Sequence, residues 1–187
     1  MRIVAGRFKG HALAGPAGAT RPTSDRVREA IFNILDHGID GGDANGKRVL
    51  DLFAGTGALG FEALSRGARH VLFVEEAAGA RSVIRRNAEA LGALGLVKVW
   101  RRDATRLGPC APLAPFDLVF ADPPYGKGLG DQALASLVAG GWLSSGAVVV
   151  LEEAEHAAVA IPGELQLVDR RVYGDTQVMF LRAAQTS

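Results

Sequence analysis

The chain has 187 residues, 48% apolar and 22% charged, with a single cysteine. That length suits one domain with a full core, and the composition excludes a disordered chain, a disulfide scaffold and a membrane span of about 20 apolar residues. The net charge of +1 hides an uneven distribution: residues 1–28 carry six basic side chains against one acid, a net +5, and the other 159 carry 15 bases against 19 acids, a net −4. A basic arm on a mildly acidic body points to a polyanion touched at one end.

In chain order, residues 2–13 are expected to form a β-hairpin or two short strands, broken at Gly6 and Gly10, and 15–22 a loop. Ser24 is placed to cap a helix, with Asp25 in its first turn. Val27, Ala30, Ile31, Ile34 and Leu35 then recur at helical spacing up to Gly38, with Arg26, Arg28 and Glu29 largely off that stripe. From there, strand-length apolar runs at 49–54, 71–74, 97–100, 116–121 and 147–151 alternate with helical stretches at 58–66, 78–92, 129–141 and, more weakly, 154–160. Unbroken apolar runs imply strands buried on both faces, hence a parallel sheet covered by helices. The chain ends differently, with strands at 167–173 and 176–181 joined by Gly174-Asp175, which suits a type II′ hairpin. One domain is expected over 1–187, a small hairpin-and-helix extension (1–40) before a catalytic core (47–187). The N-terminus turns polar within a few residues, so no secretory leader is expected. With Cys110 alone, a reduced, cytoplasmic setting is expected.

Asp51-Leu52-Phe53-Ala54-Gly55-Thr56-Gly57-Ala58-Leu59-Gly60 follows the first buried run and opens a helix. It satisfies G-x-G-x-x-G, and Glu75 stands 20 residues after Gly55, as a dinucleotide site would have it. Asp51 argues for another ligand. A carboxylate beside the loop would repel a pyrophosphate, whereas the sulfonium and ammonium of S-adenosylmethionine are attracted to it. Glu75 could hold ribose hydroxyls in either case, Asp103 could cap an adenine edge, and Gly60 could serve only close helix–strand packing.

The run at 116–121 leads into Asp122-Pro123-Pro124-Tyr125. Ligands of open α/β sheets bind at the carboxyl ends of the strands, so this tetrapeptide is expected beside the glycine loop. Two prolines fix the backbone, which makes its carbonyls and the Asp122 side chain preorganised acceptors next to an aromatic plate. Such an arrangement suits an exocyclic amine on a planar base. The competing reading is a rigid turn with Tyr125 as a packing residue.

Together these motifs resemble the S-adenosylmethionine-dependent amino-methyltransferases: a glycine-rich first motif, acids ending strands two and three, and (Asp/Asn)-Pro-Pro-(Tyr/Phe/Trp) after strand four. More narrowly, the chain resembles end to end the bacterial family that methylates the N2 amine of a guanine, of the guanine-966 type, in 16S ribosomal RNA. Arg2 to Gly10, Arg21 to Asn33, Asp51 to Gly57, Gly67-Ala68, Asp122 to Tyr125 and Tyr173-Gly174-Asp175-Thr176 carry that resemblance. It implies a Rossmann-like class I methyltransferase fold: a mostly parallel seven-stranded sheet with its last strand inserted antiparallel, plus the N-terminal hairpin and helix. It implies that Phe53, Ala54, Gly55, Thr56 and Gly57 cradle the methionine part of S-adenosylmethionine with Asp51 beneath. Glu75 would bind the ribose, although the neighbouring Glu76 leaves open which acid does so. Asp103 and Ala104 would flank the adenine, and Thr23 would help close the pocket. Asp122, Pro123, Pro124 and Tyr125 would receive the base, while Arg2, Arg7, Lys9, Arg21, Arg26 and Arg28 would meet RNA. The expected partner is 16S ribosomal RNA in the small subunit or an assembly intermediate, met by a monomer.

The reaction so implied is direct methyl transfer to a base drawn out of its stack, catalysed by positioning and electrostatics. Alternatives are an adenine-amine methyltransferase acting on DNA, a nicotinamide-dependent oxidoreductase resting on the glycine pattern, and an RNA-binding module without activity. Pro109-Cys110 has the residues of a cytosine-carbon nucleophile but precedes strand four. His11, His37, His70 and His156 are scattered without metal-ligand spacing, so no metal is expected.

Overall fold

The computed structural model describes residues 1–15 and 22–185, except for the side chains of 22–24. Its elements run α1 (Pro22–His37), β1 (Arg48–Leu52), α2 (Ala58–Ser65), β2 (His70–Val74), α3 (Ala78–Ala90), β3 (Val97–Trp100), β4 (Phe116–Ala121), α4 (Leu129–Ala139), β5 (Leu143–Ala154), β6 (Leu165–Tyr173) and β7 (Thr176–Ala183). The strands form one sheet in the order β3-β2-β1-β4-β5-β7-β6. The first five are parallel, and β7 lies antiparallel between β5 and β6.

The apolar runs become strands because both faces are covered. On one face, Val27, Ile31, Phe32 and Leu35 of α1, Phe61 of α2 and Ile84 of α3 pack on Val49, Phe73, Phe120 and Val150. On the other, Ala133, Leu134 and Leu137 of α4 pack with Trp142 on Leu50, Val119 and Leu151. The Gly174-Asp175 turn joins Tyr173 to its partner Thr176. Gly174 has φ of 61° and Asp175 has no positive φ, which fits type II′ and excludes type I′. Among the described residues, no helix is long and apolar enough to cross a membrane.

Three local expectations are corrected. The N-terminal hairpin forms only in part: a single antiparallel bridge, Arg2 to Ala12, with backbone bonds from Ile3 to His11, Gly10 to Ile3 and Leu13 to Met1 but no extended strands. Residues 4–8 are instead held by α2: the Glu62 carboxylate accepts the N–H of Val4 (2.9 Å) and Ala5 (3.1 Å), and Ser65 accepts those of Arg7 and Phe8 (both 2.9 Å). Gly6 makes this approach possible, since a Cβ there would lie 1.9 Å from the Ser65 carbonyl oxygen. Helix α1 begins at Pro22, a residue suited to a first turn, so Ser24 lies inside the helix rather than capping it. The weak helix at 154–160 does not form. There β5 runs on to Ala154, and Gln177 of β7 donates to the carbonyls of Ala154 and Ala157, both at 2.8 Å, replacing the bonds a helix would supply.

Candidate active site

Strand β1 ends in a tight turn. Phe53 sits at φ 53°, a left-handed conformation that costs a non-glycine residue about 1–3 kcal/mol. Gly55 follows at φ 58°, and a Cβ there would meet nothing closer than the Phe53 carbonyl oxygen at 4.0 Å, so its outer side is open. Gly60 differs: a Cβ would lie 2.3 Å from Phe73 Cε1, so its role is the close packing of α2 on β2. Asp51 is 2% exposed, and its Oδ2 accepts the Gly60 N–H at 2.9 Å. It thereby satisfies a first-turn donor of α2, which has no side-chain cap of its own. Desolvation holds its carboxyl well above the usual range, opposed by the Gly60 bond and reinforced by Asp122 and Glu75. Asp51 thus engages the backbone of α2 from inside the protein. The carboxyl lies beneath the loop and shapes it.

Glu75, just past β2, clamps this loop from the side. Its Oε2 accepts the Gly55 N–H at 2.8 Å and its Oε1 that of Ala77 at 2.9 Å. Glu76 is exposed, and both acids line the same cavity. Asp103, beyond β3, accepts the Thr105 N–H (2.8 Å) and hydroxyl (2.6 Å), and these bonds lower its pKa. Ala104 is buried in the core on the α4 face. Ala54 is also largely buried. Sequence reasoning missed Asn87 of α3. Its buried amide accepts the Ala14 N–H at 2.7 Å and donates to the carbonyls of Ala14 (3.1 Å) and Thr56 (3.2 Å), tying the N-terminal segment to the glycine loop. Its only sequence signal is a polar side chain next to a helix's apolar stripe.

Strand β4 delivers Asp122 to Tyr125 to the same end of the sheet. Pro123 is buried, Asp122 and Pro124 are exposed, and Tyr125 is half-buried with its hydroxyl 3.1 Å from Thr176 Oγ1. Thr176 opens β7, so the closing Tyr-Gly-Asp-Thr stretch anchors the aromatic plate. A cavity of about 690 Å³ is lined by the four residues Asp122 to Tyr125 together with Phe53, Glu75 and Glu152. That size is in the range of small-molecule sites, about 300–1,000 Å³. Gly55 and Thr56 border a second, apolar space of about 390 Å³ against Gly79, Ala80 and Val83 of α3.

Two acids on β5 also escaped sequence reasoning. Glu153, 3% exposed, accepts the Gly126 N–H at 3.1 Å and so braces the loop after the tetrapeptide. Glu152 faces the cavity, and desolvation, with Asp122 and Asp51 nearby, raises its pKa to about 8. The nearest sequence signal is a Glu pair directly after an apolar strand run.

Of the proposed RNA-facing bases, Arg2, Arg7, Lys9 and Arg26 are exposed. Arg28 is corrected: it is 3% exposed, ion-paired to Asp25 at 3.1 Å, bonded to the Arg2 carbonyl at 2.6 Å and 3.8 Å from the buried Glu62. It faces Phe32's side of α1, and the acid from α2 makes its burial tolerable. Arg21 lies outside the described residues. Thr23 sits in the first turn of α1, with its side chain outside them. Cys110 is buried, and burial raises its thiol pKa, the reverse of an activated nucleophile.

A family model described as conserved hypothetical protein 95 matches residues 1–182. The chain belongs to that family. YlbH of Bacillus subtilis is 37% identical over 183 residues, covering 95% of this chain and 96% of that protein. The ribosomal RNA small subunit methyltransferase D of Escherichia coli K12 is 35% identical over 188 residues, covering 99% of this chain and 91% of that protein. The solved structure of yhhF from Escherichia coli superposes with a TM-score of 0.83 at 30% identity, over 100% of this chain and 99% of that one. The family and the strand order with β7 inserted antiparallel identify a class I methyltransferase, which sets aside the nicotinamide reading of the glycine loop.

Proposed function

We propose that this chain methylates the exocyclic N2 amine of a guanine, of the guanine-966 type, in 16S ribosomal RNA, with S-adenosylmethionine as donor. The observation that carries the reading is a shared cavity: the tetrapeptide after β4 and the loop-clamping Glu75 open onto the same space. Kinship with a small-subunit ribosomal RNA methyltransferase supports the choice of substrate.

The residues present fit the donor. Gly55 leaves the loop open for close approach, Glu75 retains lone pairs for ribose hydroxyls, and the carboxyls of Asp51, Asp122 and Glu152 crowd one side of the site. A cationic ligand relieves that crowding, and a pyrophosphate would worsen it. Asp103 and the backbone of Ala104 would border the adenine. S-adenosylmethionine supplies a methyl group on its sulfonium. Asp122 and the carbonyl after it accept N–H bonds from the amine, localise its lone pair and aim it. Tyr125, fixed by Thr176, stacks on the base. Most of the rate would come from this positioning. The exposed Arg2, Arg7, Lys9 and Arg26 would hold phosphates without reading sequence. The substrate is the small subunit or an assembly intermediate, met by a monomer in the cytoplasm.

The test is transfer of labelled methyl to small-subunit particles from cells lacking the activity, with naked DNA and an Asp122→Ala variant in parallel. Label mapped to a guanine N2 and lost with the variant is the expected result. Label in DNA alone would move the substrate to DNA, and no label in either would overturn the reading.

A further inference from the structure

Strands β4 and β5 run parallel with Ala121 paired to Leu151. One residue further along each strand, Asp122 and Glu152 come side by side, on neighbouring strands about 4.8 Å apart. Strand alternation turns Glu152 to the face that carries Val150, Asp122 follows directly on the end of β4, and both acids line the cavity. Glu153 belongs to the opposite face, where the N–H groups of Gly126 and Ala154 satisfy it. Glu152 has no such engagement: its carboxyl accepts no hydrogen bond among the described residues. The cavity wall thus presents a second acceptor directly beside the one assigned to the reacting amine.

We propose that Glu152 accepts the ring N1–H of the target guanine while Asp122 holds the adjacent N2 amine, so that the two acids together select guanine. This rests on the guanine reading given above. On the pairing edge of guanine, N1–H and the N2 amine are neighbouring donors, and a flipped base is read along that edge. An ionised carboxylate offers only lone pairs. It matches N1–H, and it repels the bare N1 lone pair of adenine or of 2-aminopurine. In the free protein, burial and the neighbouring acids keep the Glu152 carboxyl largely protonated at neutral pH. The N1–H donor and the cationic methyl donor both favour the ionised form, so arrival of the base releases that proton to solvent.

2-Aminopurine isolates this contact, because it keeps the amine on C2 and lacks the N1 hydrogen. Reconstituted small-subunit particles carrying guanine or 2-aminopurine at the mapped position are compared as substrates of the wild type and of Glu152→Gln. Assayed above pH 8, where the Glu152 carboxyl is ionised and has no O–H to donate to a bare N1, the wild type is expected to favour guanine by about 100-fold in kcat/KM. The variant is expected to lose activity on guanine and to discriminate about 10-fold or less, because a glutamine amide can donate to a bare N1. Its affinity for S-adenosylhomocysteine should stay within about threefold of wild type. Parity between the two substrates in the wild type overturns the inference whether or not the variant folds. So does an unchanged preference in the variant, or a fall in S-adenosylhomocysteine affinity that accounts for the lost activity. Wild-type label at a base other than guanine removes the guanine reading as well, whereas label at a guanine with an unchanged preference removes this inference alone.

Discussion

The carboxylate of Glu75 accepts the backbone N–H of Gly55 at 2.8 Å, across 20 residues of chain. Its second oxygen accepts the Ala77 N–H at 2.9 Å. One side chain at the end of β2 therefore sets the position of the glycine loop and of the chain entering α3. Glu75→Ala leaves the Gly55 N–H without its partner and removes an acceptor from the cavity. Affinity for S-adenosylhomocysteine should fall about 10- to 100-fold, about 1.4–3 kcal/mol, as read by calorimetry. An affinity within twofold of wild type would show that the clamp has no part in binding.

Two glycines of the same loop should separate stability from binding. Gly60→Ala drives a methyl group into Phe73, at 2.3 Å before relaxation, and should cost about 1–3 kcal/mol in urea denaturation. Gly55→Ala meets open space but sits at φ 58°, so it should cost about 1–2 kcal/mol and in addition weaken the cofactor complex. Equal effects of both on binding per unit of lost stability would contradict this division of labour.

Glu62 is the hub of the N-terminal attachment. It is 1% exposed, pairs with Arg66 at 2.9 Å and accepts the N–H groups of Val4 and Ala5. Glu62→Ala leaves Arg28 buried without that acid and should destabilise the protein by about 3–5 kcal/mol. Limited proteolysis should then cut within residues 2–9 before the core is attacked. Cleavage that begins elsewhere would show that the arm is held by other contacts.

The pH dependence of stability has a definite sign. The Glu152 pKa is raised from 4.5 to about 8 by desolvation first, then by Asp122 and Asp51. Below pH 4.5 both folded and unfolded states are protonated there, and the group contributes nothing. Between 4.5 and 8 only the unfolded state ionises, so stability falls as pH rises, and above 8 the loss is complete. Glu152→Gln should match the wild type near pH 4 and exceed it by several degrees in Tm at pH 8, at about 2–4 °C per kcal/mol. Asp51, shifted in the same direction, keeps its own share of the slope. A Tm difference that does not change with pH would contradict the assignment.

The basic arm should act through phosphates. Arg7→Ala, Lys9→Ala and Arg26→Ala should each weaken particle binding and flatten its salt dependence by about 0.7–0.9 in log–log slope per lost phosphate contact. Arg28→Ala, by contrast, should lower stability first, because its guanidinium is inside the protein. Filter binding over a salt series, beside a melting curve for each variant, distinguishes the two behaviours.

Much of the fold was legible because buried parallel strands need unbroken apolar runs. The runs at 97–100 and 116–121 coincide with β3 and β4 residue for residue. Strand β5 extends beyond its apolar stretch at both ends, since Ser144, Ser145, Glu152 and Glu153 carry no strand signal of their own. The hairpin at 2–13 forms only in part, and the helix at 154–160 not at all, for a common reason. Side chains distant in sequence, Glu62 and Ser65 in one case and Gln177 in the other, supply the backbone partners that local structure would have supplied.

Sequence alone was enough for the order of the elements, the turn at Gly174, and the arrival of a glycine loop and an Asp-Pro-Pro-Tyr stretch at strand ends. Those features depend on local hydrophobic periodicity and on backbone conformations open to few residue types. Tertiary structure alone decided that Asp51 lies under the loop bonded to Gly60, that Arg28 is buried against Glu62, and that Glu152 stands beside Asp122. Burial and strand register join residues far apart in the chain, and no local pattern of charge reveals which acid will face the cavity and which will be sealed beneath it.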